Sequence, residues 1–415
     1  MNTTNATVSG PLSGVVILDL TTALSGPYAT MLLASLGARV IKIENPGTGG
    51  DSSRNNAPYV TSHGLAVQRE DEQDMSLSMM LRGRNKESVL LDLKDPQDHS
   101  RFLGLVEHAD IVVENFSAGV TSRLGVDYEQ LKSVKPDLIY TSITGFGSTG
   151  NNDGLRAMDA IVQALSGVMF TAGEEGEAPV RFGLPLGDLA APLFAVIGTL
   201  TAVLHRQQTG EGQLVDVSML GALTSLVAIE PFEALERFGI PQRTGAFVPR
   251  LAPFGTFQTL DGFCSLSAPT DPMAASVFRG MNRPELAQDE RFINRDARVA
   301  HANELHGLIQ DWASVRTTEQ AVAELSAAGA PVAPVRSPDQ AIRDPRVLAR
   351  GEVVQLSAGP NLEEPVFGSG VPIVMSSIDL SLGRQAPRLG EHTESVLNEF
   401  LNRDAVPSGA QRTAS

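Results

Sequence analysis

The sequence predicts an α/β protein, a Rossmann-like large domain with a smaller α+β domain. Three observations predict it. Short β-branched apolar runs alternate with helically spaced stretches through the first half of the chain, as a parallel sheet covered on both faces requires. From about Leu220 that texture gives way to a hairpin and short helices. The composition, 42% hydrophobic and 19% charged over 415 residues, is that of a folded chain long enough for two cores.

Val15–Leu20 reads as the first strand, Thr21–Ala38 as a helix and Ala38–Glu44 as the second strand. Pro27 suits the helix's first turn and Gly37 its end. Strands at Ser88–Leu93, Ile111–Phe116 and Leu138–Gly147 continue the pattern, with a helix over about Pro96–Glu107. A long helix follows Gly187-Asp188 to about Gln208, and Gln213–Met219 is a strand. Gly255–Ala268 reads as a hairpin turning at Asp261-Gly262. Helices are expected around Pro284–Phe292, Ala302–Ala313 and Thr318–Ala328, and a closing helix within Leu389–Leu401. The proline-punctuated Ala328–Ile342 suits a crossing back. These elements divide the chain into 11–225, the first part of the large domain; 226–330, the small domain with its linker; 331–403, a return segment completing the large domain; and 404–415, a flexible tail.

Several function classes are excluded. A net charge of −16 argues against nucleic acid as a partner. Cys264 stands alone, so no disulfide framework or thiolate metal site is expected. His301 and His306 are five residues apart, which does not align them on one helix face, and no metal site is expected. No apolar run approaches the roughly 20 residues of a bilayer span, and the polar start lacks a signal pattern, so a cytoplasmic protein with no membrane partner is expected. The loop Leu24–Ala29 before the first helix holds one glycine, and its Pro27 has no N–H for a pyrophosphate. A nicotinamide dinucleotide is therefore not expected. Neither a G-x-S-x-G elbow nor a Walker motif is present.

Asp188 follows Gly187 at the start of the long helix, where the dipole and free N–H groups favour a carboxylate. There it would stay ionised and could act as a nucleophile. Gly187 would leave room for a substrate beside the backbone. Asn115 and Phe116 fall at the carboxyl end of a parallel strand, where ligands dock in open α/β sheets.

Gly14–Asp19, Ser25-Gly26-Pro27, Leu36–Glu44, Arg84-Asn85-Lys86, Glu114-Asn115-Phe116, Gly145-Phe146-Gly147, Gln163–Gly167, Gly187-Asp188, His205–Gln213 and Leu389–Thr393 together resemble the family III CoA-transferases. That group includes formyl-CoA transferase and the 2-methylacyl-CoA racemases. The resemblance spans about residues 11 to 401. It implies an interlocked homodimer and Asp188 as the catalytic carboxylate, passing through aspartyl anhydride and aspartyl thioester intermediates. It implies no resident cofactor, with acyl-CoA and a carboxylic acid as the substrates. By position it implies Asn45, Lys86, Asn115, Phe116, Arg123 and Arg156 for CoA, the three cations meeting its phosphates. It places Leu24, Ser25, Gly145, Met158 and Asp159 at the substrate pocket, with Asp159 orienting a neighbouring group.

A racemase needs a histidine where this chain has Met158, and a thioether moves no proton. Transfer is therefore favoured over racemisation, and a non-catalytic CoA-binding protein is the third reading. Where formyl-CoA transferase has a glutamine, this chain has Leu24. An apolar group there suggests acids larger than formate or oxalate, such as succinate as donor with a carbon-rich acceptor.

Overall fold

The computed structural model describes residues 10–148, 156–356 and 365–401; the expected tail, 404–415, lies outside these described residues. The opening β1 (Val16–Asp19), α1 (Ser25–Ser35) and β2 (Arg39–Glu44) form the predicted βαβ unit. Gly37 turns the chain between α1 and β2 with φ +100°, and a Cβ there would strike Gly10. A small antiparallel sheet follows, with β3 (Tyr59–Thr61) between β4 (Gly64–Ala66) and β5 (Met75–Ser76). It leads into α2 (Leu77–Arg82). Then come β6 (Lys86–Leu90), α3 (Pro96–Val106), β7 (Ile111–Glu114), α4 (Val120–Leu124), α5 (Tyr128–Val134) and β8 (Ile139–Thr144). Beyond these lie α6 (Asp159–Leu165), α7 (Leu186–Thr209), β9 (Leu214–Ser218) and α8 (Met219–Val227).

Six of these strands make one parallel sheet in the order β6-β2-β1-β7-β8-β9. The strand order reverses beside β1, and the carboxyl ends of β1 and β7 face the resulting crevice, where open α/β sheets bind ligands. One sheet face is buried under α3 and α5 on Phe102, Leu105, Val112 and Tyr140; the other holds Ile17, Leu33, Val40, Ile139 and Val203. The closing helix, Thr393–Leu401, packs on α3 and β6, with Val396 and Phe400 in the first of these cores.

The chain divides into two compact units. One runs through Ser166, resumes over Leu184–Ser225 and again from Ile342; the other takes Gly167–Gly183 and Leu226–Ala341. This differs from the expected boundaries in two places, each for a visible reason. Gly167–Gly183 joins the second unit because Gly173 accepts from the Gly245 amide at 3.1 Å and the Arg243 guanidinium stacks over Phe170 and donates to the Glu177 carbonyl. The second unit also reaches past 330, because Val332–Pro334 pairs antiparallel with Cys264–Leu266.

Within the second unit, Phe254–Gln258 and Phe263–Ser267 form the predicted hairpin. Its core includes Phe257, Leu266, Phe278, Leu305 and Ile309. Cys264 is buried there, and His306 stacks on Phe247 at 4.5 Å, its pKa pushed down to about 4 by burial. The helix expected at Pro284–Phe292 is a 3-10 turn over Pro284–Gln288, and an unpredicted helix, Asp271–Gly280, precedes it.

The sequence reading of apolar runs needs one correction. Helix α7 has 24 residues, and an 18-residue stretch of it has a mean hydropathy of 1.7, which is long and apolar enough to cross a membrane. Its polar breaks, Thr199, Thr201 and Asp188, had hidden this. One face of the helix nonetheless packs against α1, β8 and β9, where Thr199 shares a 2.7 Å hydrogen bond with Thr141 of β8, while Leu193, Ile197 and Leu204 stay exposed.

Candidate active site

The crevice beside β1 rests on a network of buried charges. Asp19, at the end of β1, accepts from the Thr21 amide at 2.9 Å, the Thr30 hydroxyl at 2.7 Å and the Lys86 ammonium at 3.0 Å. Lys42 of β2 donates to the Thr21 carbonyl at 2.7 Å and pairs with Asp51 at 2.8 Å. Asp51 in turn accepts from the Thr22 hydroxyl and the Ala23 and Ser53 amides. Burial would raise the Asp51 carboxyl, but Lys42 and these donors hold it well below the usual range. The loop Thr21–Ser25 is thereby clamped, with Leu24 half-buried and Ser25 buried at the start of α1.

This geometry corrects several expected CoA contacts. Lys86 is fully buried, and its ammonium already donates to Asp19, the Pro27 carbonyl and Thr30. An ammonium has three donors, so none is left for a phosphate. Burial pushes Lys86 down to about 8 against the pull of Asp19. Asn115 spends its carboxamide on the same loop, accepting from the Thr22 amide at 2.9 Å and donating to the Thr22 carbonyl at 2.8 Å. Asn45 caps a 3-10 turn by accepting from the Gly47 amide at 2.7 Å. Phe116 is half-buried against the sheet core, whereas Arg123 and Arg156 are exposed.

Asp188 lies in the first turn of α7 as the helix's third residue, not at its N-cap, which is Pro185. No side chain of that proline can accept from the free amides. Asp159, the first residue of α6, does so from outside: its Oδ1 accepts from the Gly187 amide at 2.8 Å and the Asp188 amide at 3.4 Å. The wholly buried Gln163 holds the other oxygen, donating to Asp159 Oδ2 at 2.7 Å and to the Leu184 carbonyl at 3.1 Å. Gly187 therefore makes room for this carboxylate, not for substrate. A Cβ there would sit 3.2 Å from Asp159 Oδ1 and 3.2 Å from Met219. Gly145 is likewise packed, against Ala157, and Met158 is 70% exposed.

The expectation of a fully ionised nucleophile is also modified. Burial, then the neighbouring Asp159 charge, push the Asp188 carboxyl up to about 6, with Arg82 pulling the other way. At neutral pH the carboxylate still predominates, now as a stronger base than a free aspartate.

Arg82, the last residue of α2, was missed by the sequence reading. Among the described residues its guanidinium makes no hydrogen bond or ion pair, and Nε is buried without a partner. Its charge acts on Asp51 and Asp188. No motif marks it; only the fold of the β3–β5 segment brings it there. A cavity of about 840 Å³ lies elsewhere in the first unit, lined by Met75, Arg84, Arg350 and Arg384 among others, and contains none of the expected site residues.

Comparison with known proteins fits a site of this composition. Residues 12–393 match the model of CoA-transferase family III. The succinyl-CoA:mesaconate CoA-transferase of Haloarcula hispanica is 36% identical over 410 residues, covering 98% of this chain and 99% of the relative. The succinate–glutarate CoA-transferase of Agrobacterium fabrum is 34% identical over 400 residues, covering 96% and 98%. A crystal structure of a CAIB/BAIF family protein from Brucella suis superposes with a TM-score of 0.82 at 31% identity, covering 94% of this chain and 99% of that one. A parallel-sheet unit with a carboxylate at the head of its longest helix, matched over nearly all its length by these enzymes, belongs to CoA-transferase family III and moves CoA from an acyl-CoA to a carboxylic acid.

Proposed function

We propose that the enzyme takes CoA from succinyl-CoA and passes it to a second dicarboxylic acid, with Asp188 as a covalent nucleophile. The donor is supported by the relatives named for succinyl-CoA and for succinate. The observation that carries the nucleophile is the partly desolvated Asp188 carboxylate in the first turn of α7. In the first step its oxygen attacks the thioester carbonyl, CoA leaves as the thiolate, and a succinyl–aspartyl anhydride forms. The thiolate then attacks the aspartyl carbonyl, releasing succinate and leaving an aspartyl–CoA thioester. The acceptor carboxylate attacks that thioester, giving a second anhydride and free thiolate. Attack of the thiolate on the acceptor carbonyl yields the new acyl-CoA and restores Asp188. Atoms balance with no resident cofactor.

Anchorage of CoA is assigned to Phe116 and the exposed Arg123 and Arg156. Leu24 and Ser25 border the acyl group, held by the Asp51 and Asn115 clamp. Met158 supplies no acid or base, which leaves racemisation without its second proton-transfer group. The functional form is taken to be an interlocked homodimer, consistent with the apolar residues Leu193, Ile197 and Leu204 exposed on α7. The test is Asp188→Ala: transfer from succinyl-CoA to glutarate or mesaconate should fall below detection while the protein stays folded. A mass increment on Asp188 should appear in the wild-type protein incubated with succinyl-CoA and be absent from the variant. Turnover retained by the folded variant rules the nucleophile out.

A further inference from the structure

We infer that Asp159, held by Gln163, is a fixed negative charge beside Asp188 that favours covalent loading, because placing CoA on Asp188 removes one of two neighbouring charges. Both act through Asp188, as positioning residues. This rests on the CoA-transfer reading above and adds to it what sets the extent of the first half of the reaction.

Asp159 stands at the head of α6 and reaches the head of α7. Its Oδ1 lies 2.8 Å from the Gly187 nitrogen and 3.4 Å from the nitrogen of Asp188 itself. An aspartate's carboxyl carbon is three bonds from its own nitrogen, hence no more than about 4 Å away. Whatever rotamer Asp188 takes, its carboxyl carbon is therefore within about 7 Å of Asp159 Oδ1. The missing side chain of Gly187 permits this approach, since a Cβ there would sit 3.2 Å from Asp159 Oδ1 and 3.4 Å from Val162. The upward shift of the Asp188 carboxyl, from burial and then from Asp159, agrees with the distance.

The Asp159 carboxylate is fixed by the groups that face it. Oδ1 meets the two amides, and Oδ2 meets Gln163 Nε2 at 2.7 Å. All three are N–H donors meeting acceptor oxygens, the complement of a carboxylate. Gln163 is wholly buried and cannot turn its amide over, because the Leu184 carbonyl, 3.1 Å from Nε2, is a second acceptor.

In the first half-reaction, Asp188 and succinyl-CoA become the aspartyl–CoA thioester and succinate. The C–S bond of succinyl-CoA breaks, a C–S bond to the aspartyl carbon forms, and one Asp188 oxygen leaves in the new succinate carboxylate. The negative charge leaves with it, and Asp159 then faces a neutral thioester. Two like charges about 7 Å apart in a partly screened site repel enough to move an equilibrium roughly 10- to 50-fold.

The experiment measures the fraction of full-length protein carrying CoA at equilibrium with fixed succinyl-CoA and succinate, by intact-protein mass spectrometry after an acid quench. Asp159→Asn should lower the loading equilibrium constant roughly 10- to 50-fold. Gln163→Met, which removes both N–H donors, should lower it by a smaller factor. The double variant should match Asp159→Asn to within about twofold, because Gln163 acts through Asp159. A merely structural defect slows the approach to equilibrium and leaves its position unchanged. Circular dichroism checks the fold of each variant, and Gln163→Met carries the test if Asp159→Asn does not fold. An unchanged constant in either folded single variant overturns the inference, as does a Gln163→Met effect that persists in full in the double variant. Wild-type protein that takes up no CoA overturns the CoA-transfer reading, and this inference with it.

Discussion

The Asp188 side chain sets two opposed requirements on one oxygen pair. Attack needs the ionised form, yet burial and Asp159 raise its pKa to about 6. Below that value the carboxyl is protonated and cannot attack, so kcat/KM should fall on the acid side with an apparent pKa near 6. A rate unchanged down to pH 5 would contradict it. The same shift costs stability. An aspartate that ionises near 3.8 when unfolded and near 6 when folded loses folding free energy as pH rises between those values, by up to about 3 kcal/mol. Asp188→Asn should therefore raise the unfolding midpoint at pH 8 and leave it nearly unchanged at pH 4, in thermal melts at both pH values. The place of Asp188 at the head of α7 was legible because glycine, carboxylate and a helix start fall together; the role proposed for it came from the family resemblance. Lys86 was misread because a lysine that seeks phosphate and one that is fully buried look identical in one dimension. Arg82 left no local sign.

At the scale of elements, α6 and α7 work as a pair. Pro185 cannot cap α7, and Asp159 from α6 does it instead, fixed by Gln163. Asp159→Asn keeps an oxygen for the Gly187 amide but removes the negative charge that raises Asp188. The acid limb of kcat/KM should then move to lower pH with the fold intact, and an unmoved limb would show that burial alone sets the value. The neighbouring strands β1, β2 and β6 are tied by Asp19, Lys42 and Lys86. Lys86→Met leaves the buried Asp19 short of one cation, and breaking such a pair typically costs about 3–5 kcal/mol. Denaturant unfolding should show that loss while the KM for the acyl-CoA in the folded protein stays within error, the opposite of what a phosphate ligand would give. Most of the parallel strands were readable because they hold an apolar stretch bounded by turn residues, whereas β6, which begins with Lys86, Glu87 and Ser88, was expected two residues late. The short β3–β5 sheet and α2 were not, since two- and three-residue strands give no period to detect.

For the whole molecule the question is what α7 faces. Ala191, Ala195, Thr199 and Ala202 are buried, while Leu193, Phe194, Ile197 and Leu204 stay 39–61% exposed. A helix apolar on all sides is covered on all sides. Length and hydropathy would also admit a membrane span, but a span would have to strip α7 from the sheet and place Asp188 in hydrocarbon. A second copy of the chain needs neither, and the interlocked homodimer proposed above would provide it. Burying one Ile side chain contributes roughly 1.5–3 kcal/mol, and two copies lose it together in a symmetric dimer. Ile197→Glu should convert the dimer to a species of half the mass in light scattering at micromolar protein and abolish transfer, whereas Ile197→Leu should keep both. A wild-type protein that is monomeric and active at that concentration would refute the assembly and leave the exposed face of α7 to a different partner.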